Sequence, residues 1–147
     1  MAGAKQIRLD VVMTMQVITA REDMTVREAL KLMSSKNVHH LPVVKKNSDG
    51  GGEKLVGIVT QRDLLHATSI FIGTKAEDKK DAATLDIHLK GFMSKRVHTL
   101  PPHAGVKEAL RLMLSRDIGC VPVVESGELK GIVTVTDMLK LLDDFIV

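Results

Sequence analysis

The sequence predicts a mixed α/β fold in which two β-α-β-β-α repeats pack into one module. Two observations support this prediction. Residues 13–65 recur in altered form as residues 93–139, and both copies show the same succession of helical and strand-like hydrophobic patterns. With a shift of 80 positions, 13 of the 32 aligned residues in 13–44 are identical, and with a shift of 74 the match continues over 55–65. Unrelated segments would match at about one position in fifteen, so the chain contains a duplication.

The first helix of each repeat is predicted from capping and periodicity. Thr25 and Glu28 have the spacing of a capping box, and the apolar residues that follow recur every three or four positions, so a helix should run to about Lys36. The copy begins at Gly105. The helical stripes contain Val26, Ala29, Leu30 and Met33 in the first repeat and Val106, Ala109, Leu110 and Met113 in the second.

Three short strands and a second helix complete each repeat. The predicted strands are 17–20, 41–44 and 55–59 in the first copy and 97–100, 121–124 and 129–133 in the second. Pro42 and Pro122 favour positions near the start of their strands, because proline has no N–H to donate. The second helices are expected to begin at Thr60 and Thr134.

The predicted domain boundaries follow the duplication. Residues 8–72 form the first repeat, 73–88 the linker and 89–147 the second repeat, and the linker is predicted from its charged and small residues. A repeat of roughly 60 residues buries little surface by itself. The two repeats are therefore expected to share a core.

Composition excludes several classes of protein. No run approaches the 18 apolar residues of a membrane span, and a lone Cys120 fits a reducing cytoplasm without an internal disulfide. The 21 Lys and Arg nearly balance the 18 Asp and Glu, and aromatic residues make up 2% of the chain. A nucleic-acid-binding role is therefore not indicated, since such surfaces are strongly basic and often use aromatic stacking.

The last strand of each repeat leads into a specific motif. Gly57-Ile-Val-Thr-Gln-Arg-Asp63 and Gly131-Ile-Val-Thr-Val-Thr-Asp137 each follow a Pro-Val-Val strand and a Val-x-x-Ala-Leu-x-x-Met helix. This pattern resembles the cystathionine-β-synthase (CBS) domain over nearly the whole chain. The resemblance implies two intertwined repeats related by a pseudo-twofold axis, with two clefts that take adenosine-containing ligands.

The motif residues suit such a ligand chemically. A threonine at a helix N-terminus offers a hydroxyl and backbone N–H groups where the helix dipole favours a phosphate. A carboxylate three residues later can accept hydrogen bonds from both ribose hydroxyls. Gly57 and Gly131 permit close approach in the strand before the motif.

The resemblance also implies how the two clefts are lined. One cleft joins Thr60, Arg62 and Asp63 to Ala109, Ile118 and Gly119 as its adenine wall, and the other joins Thr134, Thr136 and Asp137 to Ala29, Val38 and His39. Family members often place basic residues just before the proline. Here these positions hold His39 and His40 in the first repeat but Gly119 and Cys120 in the second. The clefts are thus unequal, and the Asp63 cleft, with Arg62 and the histidines, is expected to prefer phosphorylated ligands.

Simpler interpretations of the same residues stay open. Thr60 with Asp63, and Thr134 with Asp137, also fit ordinary N-terminal caps. His39 and His40 fit a solvated pair, and Arg62 fits a surface cation. No metal site is predicted, because the other histidines lack ligand spacing with this pair.

The resemblance implies a regulatory module, not an enzyme. It is expected to sense AMP, ADP or ATP, to need no cofactor, to form a homodimer through its helices and to signal to a regulated protein by a change in conformation. Two alternatives remain: a structural dimerisation module with empty clefts, and an enzyme that acts on a bound nucleotide.

Overall fold

The computed structural model describes residues 6–69 and 85–146. They form two compact units, each built from an antiparallel hairpin and the helices that flank it. We call residues 18–69 and 85–97 the middle unit, and residues 6–17 and 98–146 the end unit. The mixed α/β class predicted from the sequence is confirmed.

The middle unit contains α2 (Val26–Lys36), β1 (His40–Lys46), β2 (Glu53–Thr60), α3 (Gln61–Ser69) and a 3-10 turn at Leu89–Gly91. The end unit contains α1 (Leu9–Val12), α4 (Val106–Arg116), β3 (Cys120–Glu125), β4 (Glu128–Thr134) and α5 (Val135–Phe145). No helix in the described part of the chain is long and apolar enough to cross a membrane.

The helices α2 and α4, the first helices predicted for each repeat, begin and end as the sequence predicts. In α2 the Glu28 backbone N–H donates to the Thr25 hydroxyl at 3.2 Å, and the Thr25 backbone N–H donates to the Glu28 carboxylate at 3.3 Å, which completes the capping box. The helix stops after Lys36 because Asn37 takes the left-handed conformation, as Asp117 does after α4.

The predicted strands 17–20 and 97–100 are absent as strands, and each is reduced to a single parallel bridge, at Ala20 and Leu100. Ala20 donates to the Pro42 carbonyl at 2.9 Å and accepts from the Val44 N–H at 2.9 Å. The next bond of a parallel ladder would need an N–H from Pro42, which proline lacks. Pro42 itself is the third residue of β1, deeper in the strand than predicted.

The compact units are offset from the sequence repeats. The leading segments, residues 6–17 and 85–97, each pair with the hairpin of the other copy: Thr14 exchanges two backbone hydrogen bonds with Ile132 in the end unit, and Ser94 does so with Ile58 in the middle unit. The boundaries 8–72 and 89–147 stay predictions for the repeats of sequence, and the compact units exchange the leading segments of these repeats. Residues 73–84 of the predicted linker lie outside the described residues.

Each leading segment also supplies core. Leu9 is fully buried in the end unit, among Val106, Ala109, Val121 and Val133, and Leu89 is fully buried in the middle unit. Leu9 and Leu89 are related by the same shift of 80 positions as the rest of the repeat. Burial of such a side chain stabilises each unit by about 1.5–3 kcal/mol.

Candidate functional site

The candidate site of the middle unit lies where β2 ends and α3 begins. The Asp63 backbone N–H donates to the Thr60 hydroxyl at 3.2 Å, so Thr60 caps the first turn of α3. The Asp63 side chain is exposed, and within the described residues its carboxylate accepts no hydrogen bond. This carboxylate is available to a ligand at the helix N-terminus.

Strand pairing brings both histidines to the same place. His40 lies opposite Thr60 in the β1–β2 register, and the Gln61 backbone N–H donates to the His39 carbonyl at 2.8 Å. We call Thr60, Asp63, His39 and His40 the first-repeat corner. Antiparallel pairing of the two predicted strands would have revealed this proximity from the sequence alone.

The imidazole of the half-buried His40 has a lowered pKa. Burial lowers the pKa of its imidazole below the usual 6.5, and the neighbouring His39 lowers it further, while the Asp63 carboxylate acts in the opposite direction. Burial is the largest of the three effects, so His40 is neutral at pH 7. A neutral imidazole offers a ligand one N–H donor and one acceptor nitrogen.

The corresponding second-repeat corner is built from Thr134, Asp137, Gly119 and Cys120. The Val135 N–H donates to the Gly119 carbonyl at 3.1 Å, and Cys120 lies opposite Thr134 in the β3–β4 register. Cys120 is buried, and burial raises the pKa of its thiol to about 12. The thiol therefore stays protonated and cannot provide a charge.

The two aspartates differ in what their carboxylates contact. Thr134 donates its backbone N–H to Asp137 Oδ2 at 2.8 Å and its hydroxyl to the same oxygen at 3.0 Å, while the Asp137 N–H donates to the Thr134 hydroxyl at 3.2 Å. The capping interpretation is thus correct for the backbone of both corners. For the carboxylate it holds only at Asp137, which is also the less exposed of the pair.

The glycines of the motif are explained by packing. A Cβ on Gly57 would lie 2.6 Å from the Met93 sulfur and 3.1 Å from the Ser94 carbonyl oxygen, and one on Gly131 would meet Met13 and Thr14 in the same way. The close approach predicted at these positions is made by the leading segments.

The remaining predicted site residues are distributed unevenly. Ala29 and Ala109 are fully buried in the cores of their own units, and Val38 and Ile118 pack at the edges of those cores. Arg62 and Thr136 are exposed on the first turns of α3 and α5. The predicted pairings of each Thr-x-x-Asp motif with residues of the other repeat join different compact units and stay predictions.

A surface depression of about 250 Å³ lies at the far end of β1 from the first-repeat corner, and none of the predicted site residues lines it. Its lining consists of Arg21, Glu22, Asp23, Val44, Lys45 and Lys46. Among the described residues, no group of three or more His, Cys, Asp or Glu side chains is arranged to hold a metal ion.

Known proteins resemble this chain over nearly its full length. A CBS domain-containing protein of Dictyostelium discoideum is 36% identical over 132 residues, which cover 88% of this chain and 87% of that protein. Homoserine O-acetyltransferase of Methanohalobium evestigatum is 30% identical over 135 residues, and the chain spans 24% of that enzyme's length.

The solved structure of the CBS domain pair of protein MJ0100, in complex with 5′-methylthioadenosine and S-adenosyl-L-methionine, superposes with a TM-score of 0.76 and 26% identity. The match covers 97% of this chain and all of that one. The CBS domain profile itself matches residues 7–69 and 88–144. With both repeats of sequence and the fold in agreement, the chain belongs to the CBS domain family, as a pair of CBS domains.

Proposed function

We propose that this chain is a regulatory module that binds an adenosine-containing ligand at its Thr-x-x-Asp corners and transmits the bound state to a partner protein. The observation that carries the proposal is the Asp63 carboxylate, which is exposed on the first turn of α3 beside two histidines. The bound ligands of the MJ0100 domain pair, both of which contain adenosine, support the same ligand class.

AMP, ADP and ATP are the ligands we favour for the first-repeat corner. The N-terminus of α3 favours a phosphate through its dipole and its backbone N–H groups. The Asp63 carboxylate can accept hydrogen bonds from the ribose hydroxyls, and Arg62 on the same helical turn can form an ion pair with the phosphate. The buried lone Cys120 is consistent with our placing the protein in the cytoplasm.

Signalling requires that the ligand bind one conformation better than another. The exposed helix faces of the end unit are where we expect a homodimer to form. Val135, Leu139 and Leu142 make one exposed apolar stripe on α5, Ile146 follows it directly after the helix, and Leu110 and Leu114 are exposed on α4. A ligand that changes the association of the two subunits through these helices would change the surface that the regulated protein binds.

A thermal-shift panel tests the proposal. Adenosine, AMP, ADP, ATP and S-adenosylmethionine are compared with GMP, which carries the same ribose phosphate on another base. A ligand at a hundred times its Kd stabilises the folded chain by about 2.7 kcal/mol, which raises Tm by roughly 5–10 °C for a chain of this size.

The purely structural alternative predicts no shift with any of these ligands at millimolar concentration. An enzyme would instead convert the ligand, which chromatography of the incubated nucleotide would detect. Equal shifts with GMP and AMP would contradict recognition of adenosine and leave only recognition of the shared ribose phosphate.

A further inference from the structure

The two corners differ at one titratable position. His40 lies opposite Thr60, and Cys120 lies at the same register opposite Thr134. An imidazole can gain a proton near neutral pH, whereas the Cys120 thiol, with its pKa raised to about 12, stays neutral. Only the first-repeat corner can therefore change charge at this position.

The charged groups around His40 are few. Within the described residues, those that act on it are His39 on its own strand and Asp63 on α3, while β2 faces it with the uncharged Thr60. Arg62 and His66, also on α3, are exposed. Because burial keeps His40 neutral in the ligand-free chain, its imidazole has a proton to gain.

An anionic group at the start of α3 would raise the pKa of His40. It would add a second negative charge to that of Asp63 beside a half-buried imidazole, and a nearby opposite charge favours the protonated form. Binding and protonation are then linked, so each must strengthen the other by the same factor.

We propose that the first-repeat corner takes up a proton at His40 when it binds an anionic adenosine ligand, so that its affinity for such ligands rises as pH falls. This inference rests on the proposed function. Neutral adenosine should bind without proton uptake, because it places no charge beside His40. The second-repeat corner should be insensitive to pH, since it has Cys120 at this position.

Calorimetric titration at pH 7 in PIPES and in Tris measures proton uptake directly, because the two buffers release protons with different enthalpies. The probe is the methyl ester of AMP, a phosphodiester whose charge is fixed; the phosphate of AMP itself titrates near pH 6. We expect uptake of a fraction of a proton, up to about one, and a Kd that falls with pH by up to about tenfold per unit between the pKa of His40 in the complex and its lower pKa in the free chain. Adenosine should show neither effect.

The matched variant is His40→Cys, which installs the residue that the second repeat has at this register. It should abolish proton uptake on binding of the ester, and His40→Gln is the second variant if the thiol impairs folding. His103→Gln, a change at an exposed histidine that belongs to neither corner, should retain uptake. Binding of the ester without proton uptake, or equal uptake in both His40 variants, would reject the inference alone. Absence of binding by both ligands at every pH would reject the proposed function and this inference with it.

Discussion

The residues Thr60 to Asp63 and Thr134 to Asp137 show that one motif can be used in two ways. Both threonines cap a helix, but only the Asp137 carboxylate accepts bonds back from its threonine. A ligand at the second corner must compete with these bonds for one carboxylate oxygen. At the first corner the Asp63 carboxylate accepts no such bond and is available to a ligand. We therefore expect Asp137 to contribute mainly to stability and Asp63 mainly to ligand binding.

Replacement by alanine should therefore affect ligand binding at Asp63 and the free energy of unfolding at Asp137. Asp63→Ala should weaken adenosine-ligand binding by about 1.5–3 kcal/mol, the range for hydrogen bonds to a charged group, and leave the free energy of unfolding within about 0.5 kcal/mol of wild type. Asp137→Ala should lower the free energy of unfolding by about 0.5–2 kcal/mol, because the Thr134 N–H loses its acceptor. Urea denaturation and calorimetric titration of both variants measure the two effects. Equal losses of stability would contradict the distinction.

The sequence predicted the helices and hairpins well because their signals are local. The capping box at Thr25 and the apolar spacing of α2 depend only on neighbouring residues. The strand at 17–20 was predicted wrongly, since the sequence does not show that this segment pairs with β1 at Pro42, which has no N–H to donate. In the candidate site, the two histidines were predicted from the resemblance, and strand pairing places them beside Thr60. The bonds that engage Asp137 but not Asp63 depend on side-chain conformation.

At the scale of elements, Gly57→Ala tests the packing of a leading segment on its hairpin. The new Cβ would collide with Met93 and crowd the Ser94 backbone, so the free energy of unfolding should fall by about 1–3 kcal/mol. Gly131→Ala should cost a similar amount through Met13 and Thr14. Gly51→Ala is the control, because its Cβ would meet only Asp49 at ordinary contact distance, 3.6 Å.

Chemical denaturation of the three variants gives the comparison. Met93→Ala in the Gly57→Ala background should recover part of the loss, since the Ser94 carbonyl would still crowd the new methyl group. If Gly57→Ala were as stable as Gly51→Ala, the close packing described here would be wrong.

At the scale of the whole molecule, most of the exposed apolar helix residues among those described belong to the second repeat. Leu114 is 82% exposed, and its counterpart in the first repeat is Ser34; Leu142 corresponds to Thr68 and Val135 to Gln61. The duplicated helices have thus diverged on their outer faces while they kept their buried ones. A symmetric dimer should bury the end unit's helices against their copies.

Leu114→Ser and Leu142→Thr, which install the first-repeat residues, should together shift the chain from dimer toward monomer. Sedimentation equilibrium measures the change, and we expect the dissociation constant to rise by at least about tenfold, since two large apolar side chains leave the interface. Leu65→Thr, on an exposed position of α3, is the control and should leave association unchanged. A wild-type chain that is monomeric at high micromolar concentration would contradict the proposed dimer.

The exchange of leading segments has a consequence for the order of events during synthesis. The middle unit draws all its residues from one stretch of sequence, between Ile18 and Val97, whereas the end unit needs residues from both sides of that stretch. At roughly 5–20 residues per second, β4 follows Val97 by about 2–7 s. Until then Leu9 and Met13 lack the β3–β4 hairpin on which they pack. During synthesis, all residues of the middle unit are therefore present before those of the end unit, although the end unit contains the first residues of the sequence.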